Sequence, residues 1–178
     1  MSKQISISQS DIEEHRESLR ASAEQTQIQI AEIAGAESPL EFLFQLKFQS
    51  VGCDPLNISR QLNLIEQLNQ TFTYLASLNG AEFLFTRHPK VQSLTLNLGT
   101  SAGSDIETLE GGGIAAEVFA AVTPRNNRKL ANDIKKVSTA NAKHRYLLFM
   151  SPEYEAGPYQ GATTNASGVI VWSLGCTL

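Results

Sequence analysis

Apolar residues recur at helical spacing through the first half of the chain, then switch to alternating and continuous runs in the second. In residues 9–34 a thin stripe of Ile12, Leu19, Ala23, Ile30 and Ile33 runs among Glu and Gln. It predicts a helix from Ser10 as N-cap to Gly35 as its stop. A helix this polar is peripheral or part of a partner contact. Ser38-Pro39 opens a second helix, Leu40 to Ser50, with Pro at the first helical position and Gly52 beyond its end. Leu40, Leu43, Phe44, Leu46 and Phe48 make it strongly apolar. Asn57 or Ser59 caps a third helix, in which Leu62, Ile65, Leu68, Phe72 and Leu75 recur until Asn79-Gly80 ends it.

Strand patterns follow. Glu82–Thr86 and Val91–Leu98 read as strands separated by His88-Pro89, and Gly99–Ser104 as a small-residue loop. Ser104–Leu109 and Ile114–Val122 are the next two strands, with Gly111-Gly112-Gly113 as a hairpin turn between them. Pro124 breaks the second. Asn126 or Asn127 then caps a helix with Leu130, Ile134 and Val137 on one face. Tyr146–Met150 and Val169–Trp172 are continuous apolar runs, as in buried central strands, and residues 152–167 read as a loop. The expected architecture is an α/β domain, 38–178, with a mixed sheet flanked by helices, preceded by an N-terminal helical arm, 1–37. The crossover from Ile114–Val122 to Tyr146–Met150 should be parallel and right-handed.

The length of 178 residues suits one domain with an appended arm. No apolar run approaches the ~20 residues that span a bilayer. The start, Met1-Ser2-Lys3-Gln4, lacks an apolar signal stretch, so a cytoplasmic protein without membrane contact is expected. Cys53 and Cys176 have no metal-site spacing and read as free buried thiols. His15, His88 and His144 have no partner spacing. The net charge of -4 hides a local excess of base: half of the fourteen Lys and Arg lie between Arg125 and Arg145, where Asp133 is the only acid. Local charge decides whether a polyanion docks.

That basic stretch follows two acid-bearing strands. Glu117 is a lone acid in an apolar strand, and a buried carboxylate requires a cation, a hydrogen-bond network or a metal. If the two strands pair antiparallel, Asp105 and Glu117 converge on one cation. The structural alternative is an ion pair of Glu117 with Lys129 or Arg145, with Asp105 a turn residue and Glu107 and Glu110 solvated. Thr100-Ser101 has no adjacent base, and the glycine run lacks the ending of a phosphate-binding loop.

The order helix–strand–Asp–strand–Glu–helix–strand, over roughly Leu40 to Trp172, resembles the core of the PD-(D/E)XK nuclease superfamily. The resemblance implies a restriction endonuclease-like fold and a Mg²⁺- or Mn²⁺-dependent nuclease, or a nucleic-acid-binding protein derived from one. It implies Asp105 and Glu117 as metal ligands and Glu66 as a supporting residue on an early helix. The motif's lysine, two positions after the Glu, is replaced by Phe119, and the residue before Asp105 is Ser104 rather than Pro. Some members supply that lysine from the following helix, which points to Lys129 as the catalytic substitute. Arg128 is less suited because a guanidinium does not readily give up a proton. Arg125, Arg128, Lys135 and Lys136 would contact the backbone of DNA or RNA. The alternative is a non-enzymatic interaction module of the same fold, self-associating as a homo-oligomer through its polar N-terminal helix and its sheet.

Overall fold

The computed structural model describes residues 2–35, 38–99, 103–108, 112–159 and 168–176. The chain forms two compact units, Met1–Ile12 with Ala76–Leu178, and Glu13–Leu75. The segment 1–37, expected as a helical arm, is divided between them and opens with a strand.

The first unit is built on a seven-stranded mixed sheet. Its strands are β1 (Ser2–Ile7), β4 (Leu94–Gly99), β5 (Ile106–Glu107), β6 (Gly112–Ala120), β7 (Ala142–Met150), β9 (Ile170–Ser173) and β8 (Gly157–Pro158), in that spatial order. From β1 through β6 neighbours are antiparallel. The crossover from β6 returns through α4 (Lys129–Ser138) to a parallel β7, as the pattern predicts, and β9 is also parallel to β7. Leu147, Leu148 and Phe149 in β7 are fully buried, as the continuous apolar run requires. Alternation along β6 sends Ala115 and Phe119 to one face, where they join Leu130, Ile134 and Val137 of α4 in a common core.

The other face carries the end of α3 (Leu64–Arg87), and this corrects two expectations. Asn79-Gly80 does not stop the helix, and Glu82–Thr86 is helical rather than a strand. The reason lies in burial at helical spacing: Ala76, Ala81, Leu84 and Phe85 are buried one to two turns apart. Gly80 is where this helix lies closest to the sheet. A Cβ there would stand 3.1 Å from Leu148 Cδ1 and 3.2 Å from Ile106 Cδ1. No helix among the described residues is long and apolar enough to cross a membrane.

The second unit holds most of α1 (Ile12–Ile33), α2 (Pro39–Phe48), a hairpin of β2 (Gly52–Asp54) and β3 (Asn57–Leu62), and the start of α3. The turn before α1 is capped by Ser8, not Ser10: Asp11 Oδ2 accepts from the Ser8 N–H at 2.7 Å. Ser38 caps α2 as expected, accepting from the Glu41 N–H. Asn57–Leu62 is a strand rather than the start of the third helix. That helix begins later because Asn63 and Glu66 form a reciprocal capping pair, Asn63 Oδ1 accepting from Glu66 N–H and Glu66 Oε2 from Asn63 N–H. Gly52 starts β2. A Cβ there would stand 2.4 Å from Gln67 Oε1 and Thr26 Oγ1, so only glycine fits. Cys53 is buried, but Cys176 is exposed, contrary to expectation.

Of the expected turn Gly111-Gly112-Gly113, Gly112 and Gly113 instead open β6, and the described half of the expected loop 152–167 carries β8; Gly111, Thr100, Ser101, Leu109, Glu110 and residues 160–167 lie outside the described residues.

Candidate functional site

The site forms where β5 and β6 run antiparallel beneath α4. Ile106 pairs with Ala116 and Glu107 with Ala115, and the same register brings Asp105 level with Glu117. Asp105 Oδ2 accepts a hydrogen bond from the Val118 N–H at 2.8 Å, which ties this carboxylate to β6. Glu117 lies between Ala115 and Phe119 on the α4 face and is only 2% exposed.

The cation beside it comes from α4. Lys136 Nζ stands 2.6 Å from Glu117 Oε2. Neither Lys129 nor Arg145 fills this place. Lys129 pairs with the buried Asp133 four residues on, at 2.6 Å, and lies 5.4 Å from the centre of the Phe119 ring. Arg145 Nε donates to the Ala140 carbonyl at 2.9 Å. The second oxygen of Glu117, Oε1, is buried and has no hydrogen-bond partner among the described residues. Gln29 Oε1, Gln67 Oε1 and Thr95 Oγ1 are buried in the same condition elsewhere in the chain, and it is the neighbouring Asp105 and Lys136 that set Glu117 apart.

Charge and burial work against each other here. Burial pushes Glu117 up to about 7; the Lys136 hydrogen bond opposes that rise and the nearby Asp105 reinforces it. Burial also raises Asp105, against the hydrogen bond from Val118 and the charges of Lys136 and Lys129. Burial alone would lower the Lys136 ammonium, but Glu117, Asp105 and Asp133 together hold it above its ordinary value. Lys136 therefore stays charged while Glu117 exchanges its proton near neutrality.

A network from β4 and β1, on the same face of the sheet as Glu117, fixes the turn that carries Asp105. Asn97 on β4 donates from Nδ2 to the Ser104 carbonyl at 2.7 Å and to Glu107 Oε1 at 3.0 Å, and accepts from Gln4 Nε2 at 2.8 Å. Glu107 is thereby hydrogen-bonded rather than simply solvated. An open cleft of about 380 Å³ adjoins the turn, lined by Ser104, Glu107, Thr108, Lys136, Thr139 and Asn141 among others. Lys136 is common to the cleft and the acidic pair.

The remaining sequence candidates fall elsewhere. Glu66 belongs to the other compact unit, where it closes the capping pair with Asn63. Arg125 is exposed and donates to Tyr159 Oη at 3.0 Å. Arg128 is exposed at the start of α4 in the left-handed region, with φ +58°, and Lys135 is exposed on α4. Among the described residues no three His, Cys, Asp or Glu side chains gather as a metal cage. A magnesium site needs no such cage, because one or two carboxylates and waters suffice.

Sequence reasoning missed Lys136 as the partner of Glu117, and Asp133 as the partner of Lys129. Their spacing held a signal: Lys129, Asp133 and Lys136 recur at one helical face beside Ile134 and Val137. It also missed His88, whose Nε2 lies 2.8 Å from Tyr146 Oη and whose ring lies 4.6 Å from that of His144. Burial, then the charges of His144 and Arg87, lower its basicity. These residues are far apart in the chain, and no local pattern joins them.

Comparison with protein-family models, with curated proteins and with solved structures gave no match.

Proposed function

We propose that the first unit is a PD-(D/E)XK-like domain with a restriction endonuclease-like core, and that it is a divalent-metal-dependent nuclease. The observation that carries this reading is the meeting of Asp105 and Glu117, level on adjacent antiparallel strands, with Lys136 of α4. The order α3, β4, Asp105 with β5, Glu117 on β6, α4, β7 supports it, because it reproduces the helix–strand–Asp–strand–Glu–helix–strand order. The lysine absent at Phe119 is supplied here by α4 at Lys136, seven residues beyond Lys129.

The residues suit a hard cation. Glu117 Oε1 is an unmatched buried acceptor, and Asp105 stands beside it. Asp105 and Glu117 would hold Mg²⁺ or Mn²⁺. When bound, the cation polarises a phosphoryl oxygen and offsets the charge of the transition state. Lys136 keeps its proton at Nζ and presents it to the cleft, where it orients an attacking water or stabilises a phosphoryl oxygen. Glu117 must release its proton before it can serve as a ligand, so activity rises through neutral pH. Arg128 and Lys135, both exposed, would hold the backbone of DNA or RNA by charge.

The test is cleavage of duplex DNA, single-stranded DNA and RNA by the purified chain in Mg²⁺ or Mn²⁺. We expect metal-dependent cutting that Glu117→Gln abolishes. Lys136→Ala should slow the chemical step by about 10²–10³-fold, the usual worth of one preorganised donor aimed at developing charge. Lys129→Ala should be the milder variant. No cutting of any substrate by the folded wild type would move the reading to the non-enzymatic interaction module.

A further inference from the structure

Two histidines meet where α3 ends against β7. His88 directly follows α3. Its N–H donates to the Leu84 carbonyl at 2.8 Å, and its carbonyl accepts from the Val91 N–H at 2.9 Å, so its backbone is held on both sides. His144 stands on β7 two residues before Tyr146, and alternation sets both side chains on the face that carries α3. The two imidazole rings stand 4.6 Å apart, tilted by 48°. Both histidines are half-buried, so the pair keeps contact with solvent.

Tyr146 engages the first ring. It is fully buried, its ring meets Phe83 edge-on at 6.0 Å, and its Oη lies 2.8 Å from His88 Nε2. Nδ1 is then the nitrogen left open on His88. Among the described residues the His88 ring has no other hydrogen-bond or ion-pair partner, and the His144 ring has none. The common structural role of a histidine, pairing with an acid, is therefore unfilled at both positions.

We propose that His88 and His144 form a binding site for a borderline transition cation such as Zn²⁺, with water completing its shell. Neutral imidazole is the commonest protein ligand for such ions. Rings at this separation admit a cation at about 2.0–2.1 Å from one nitrogen of each. The His144 ring, which no hydrogen bond holds, needs only to turn toward it. Tyr146 supplies the orienting contact that ligating histidines have on their other nitrogen. In the bound state Nε2–H donates to Tyr146 Oη and Nδ1 carries the lone pair. The chemistry differs from that of Asp105 and Glu117, whose carboxylates suit Mg²⁺ or Mn²⁺. No third His, Cys, Asp or Glu joins the two rings among the described residues, so the cation keeps open positions and exchanges readily. Bound there, it ties the end of α3 to β7.

The test is calorimetric titration of the full chain with Zn²⁺ in excess Mg²⁺, which competes at carboxylates, with thermal melts as a second readout. It needs no nucleic acid and is independent of the nuclease reading. The wild type should bind Zn²⁺ saturably and melt at a higher temperature with it. His88→Ala and His144→Ala should each weaken binding about tenfold or more and lose the thermal gain, while circular dichroism confirms an unchanged fold. Tyr146→Phe keeps both ligands and should weaken binding about tenfold, the lower end of the effect of such an orienting partner. Cys176→Ser and His15→Ala, which remove the exposed thiol and the remaining histidine, should bind as the wild type does. No saturable binding by the folded wild type, or binding unchanged in His88→Ala and His144→Ala, would overturn the proposal. Binding lost in Cys176→Ser or His15→Ala would overturn it as well. Unchanged binding in Tyr146→Phe would overturn the assignment of Nδ1 as the ligand.

Discussion

Lys136 Nζ lies 2.6 Å from Glu117 Oε2, so a helix ammonium caps the one acid buried in β6. The other oxygen, Oε1, has no hydrogen-bond partner among the described residues. The pair is therefore half-satisfied.

Stability should report this directly through pH. Glu117 is raised from an ordinary value of 4.5 to about 7, so between those values the folded chain holds a proton that the unfolded chain has lost. Stability contributed by that proton is present below about pH 4.5 and declines as pH rises toward 7. Asp105 is raised as well and adds to the same slope. Glu117→Gln removes the Glu117 share. Urea melts at pH 5, 6, 7 and 8 should show the wild type losing stability relative to Glu117→Gln by on the order of 1–3 kcal/mol across this range. A constant difference between the two proteins would mean that Glu117 titrates normally.

Nucleic-acid binding should be weak and salt-sensitive. Arg128 and Lys135 are exposed, whereas Lys136 and Lys129 are occupied by acids. Each phosphate contact contributes about -0.9 to the log–log salt slope on duplex DNA. Charge reversal at Arg128 or Lys135 should lower the slope by about that amount each. Fluorescence anisotropy over a salt series measures it. An unchanged slope would place the binding surface elsewhere.

Much of the sheet was legible because its signals were local. The apolar runs at Tyr146–Met150 and Val169–Trp172 mark buried strands, and Glu117 stands out as a lone acid. The segment 57–87 was misread because two local punctuators misled. Asn79-Gly80 is a turn signal in most contexts, but here the glycine serves a close helix–sheet approach against Leu148. Asn57 resembles a cap, yet the cap that operates is Asn63 with Glu66. The strand at Ser2–Ile7 escaped notice because its edge pairing with β4 depends on residues ninety positions away. The acids of the site were readable from alternation, but their cation was not. Choosing Lys136 over Lys129 depends on the placement of α4 over β6, a tertiary property that helical periodicity does not encode.

The central claim, that Asp105 and Glu117 share a divalent cation, is tested most directly by calorimetric titration of the chain with Mn²⁺. At pH 8 we expect saturable binding that Asp105→Asn and Glu117→Gln each remove while both variants stay folded. At pH 6 the wild type should bind about tenfold more weakly, because Glu117 must first lose a proton held to about pH 7. The same heat in the wild type and both variants, or no heat in the wild type at pH 8, would contradict it.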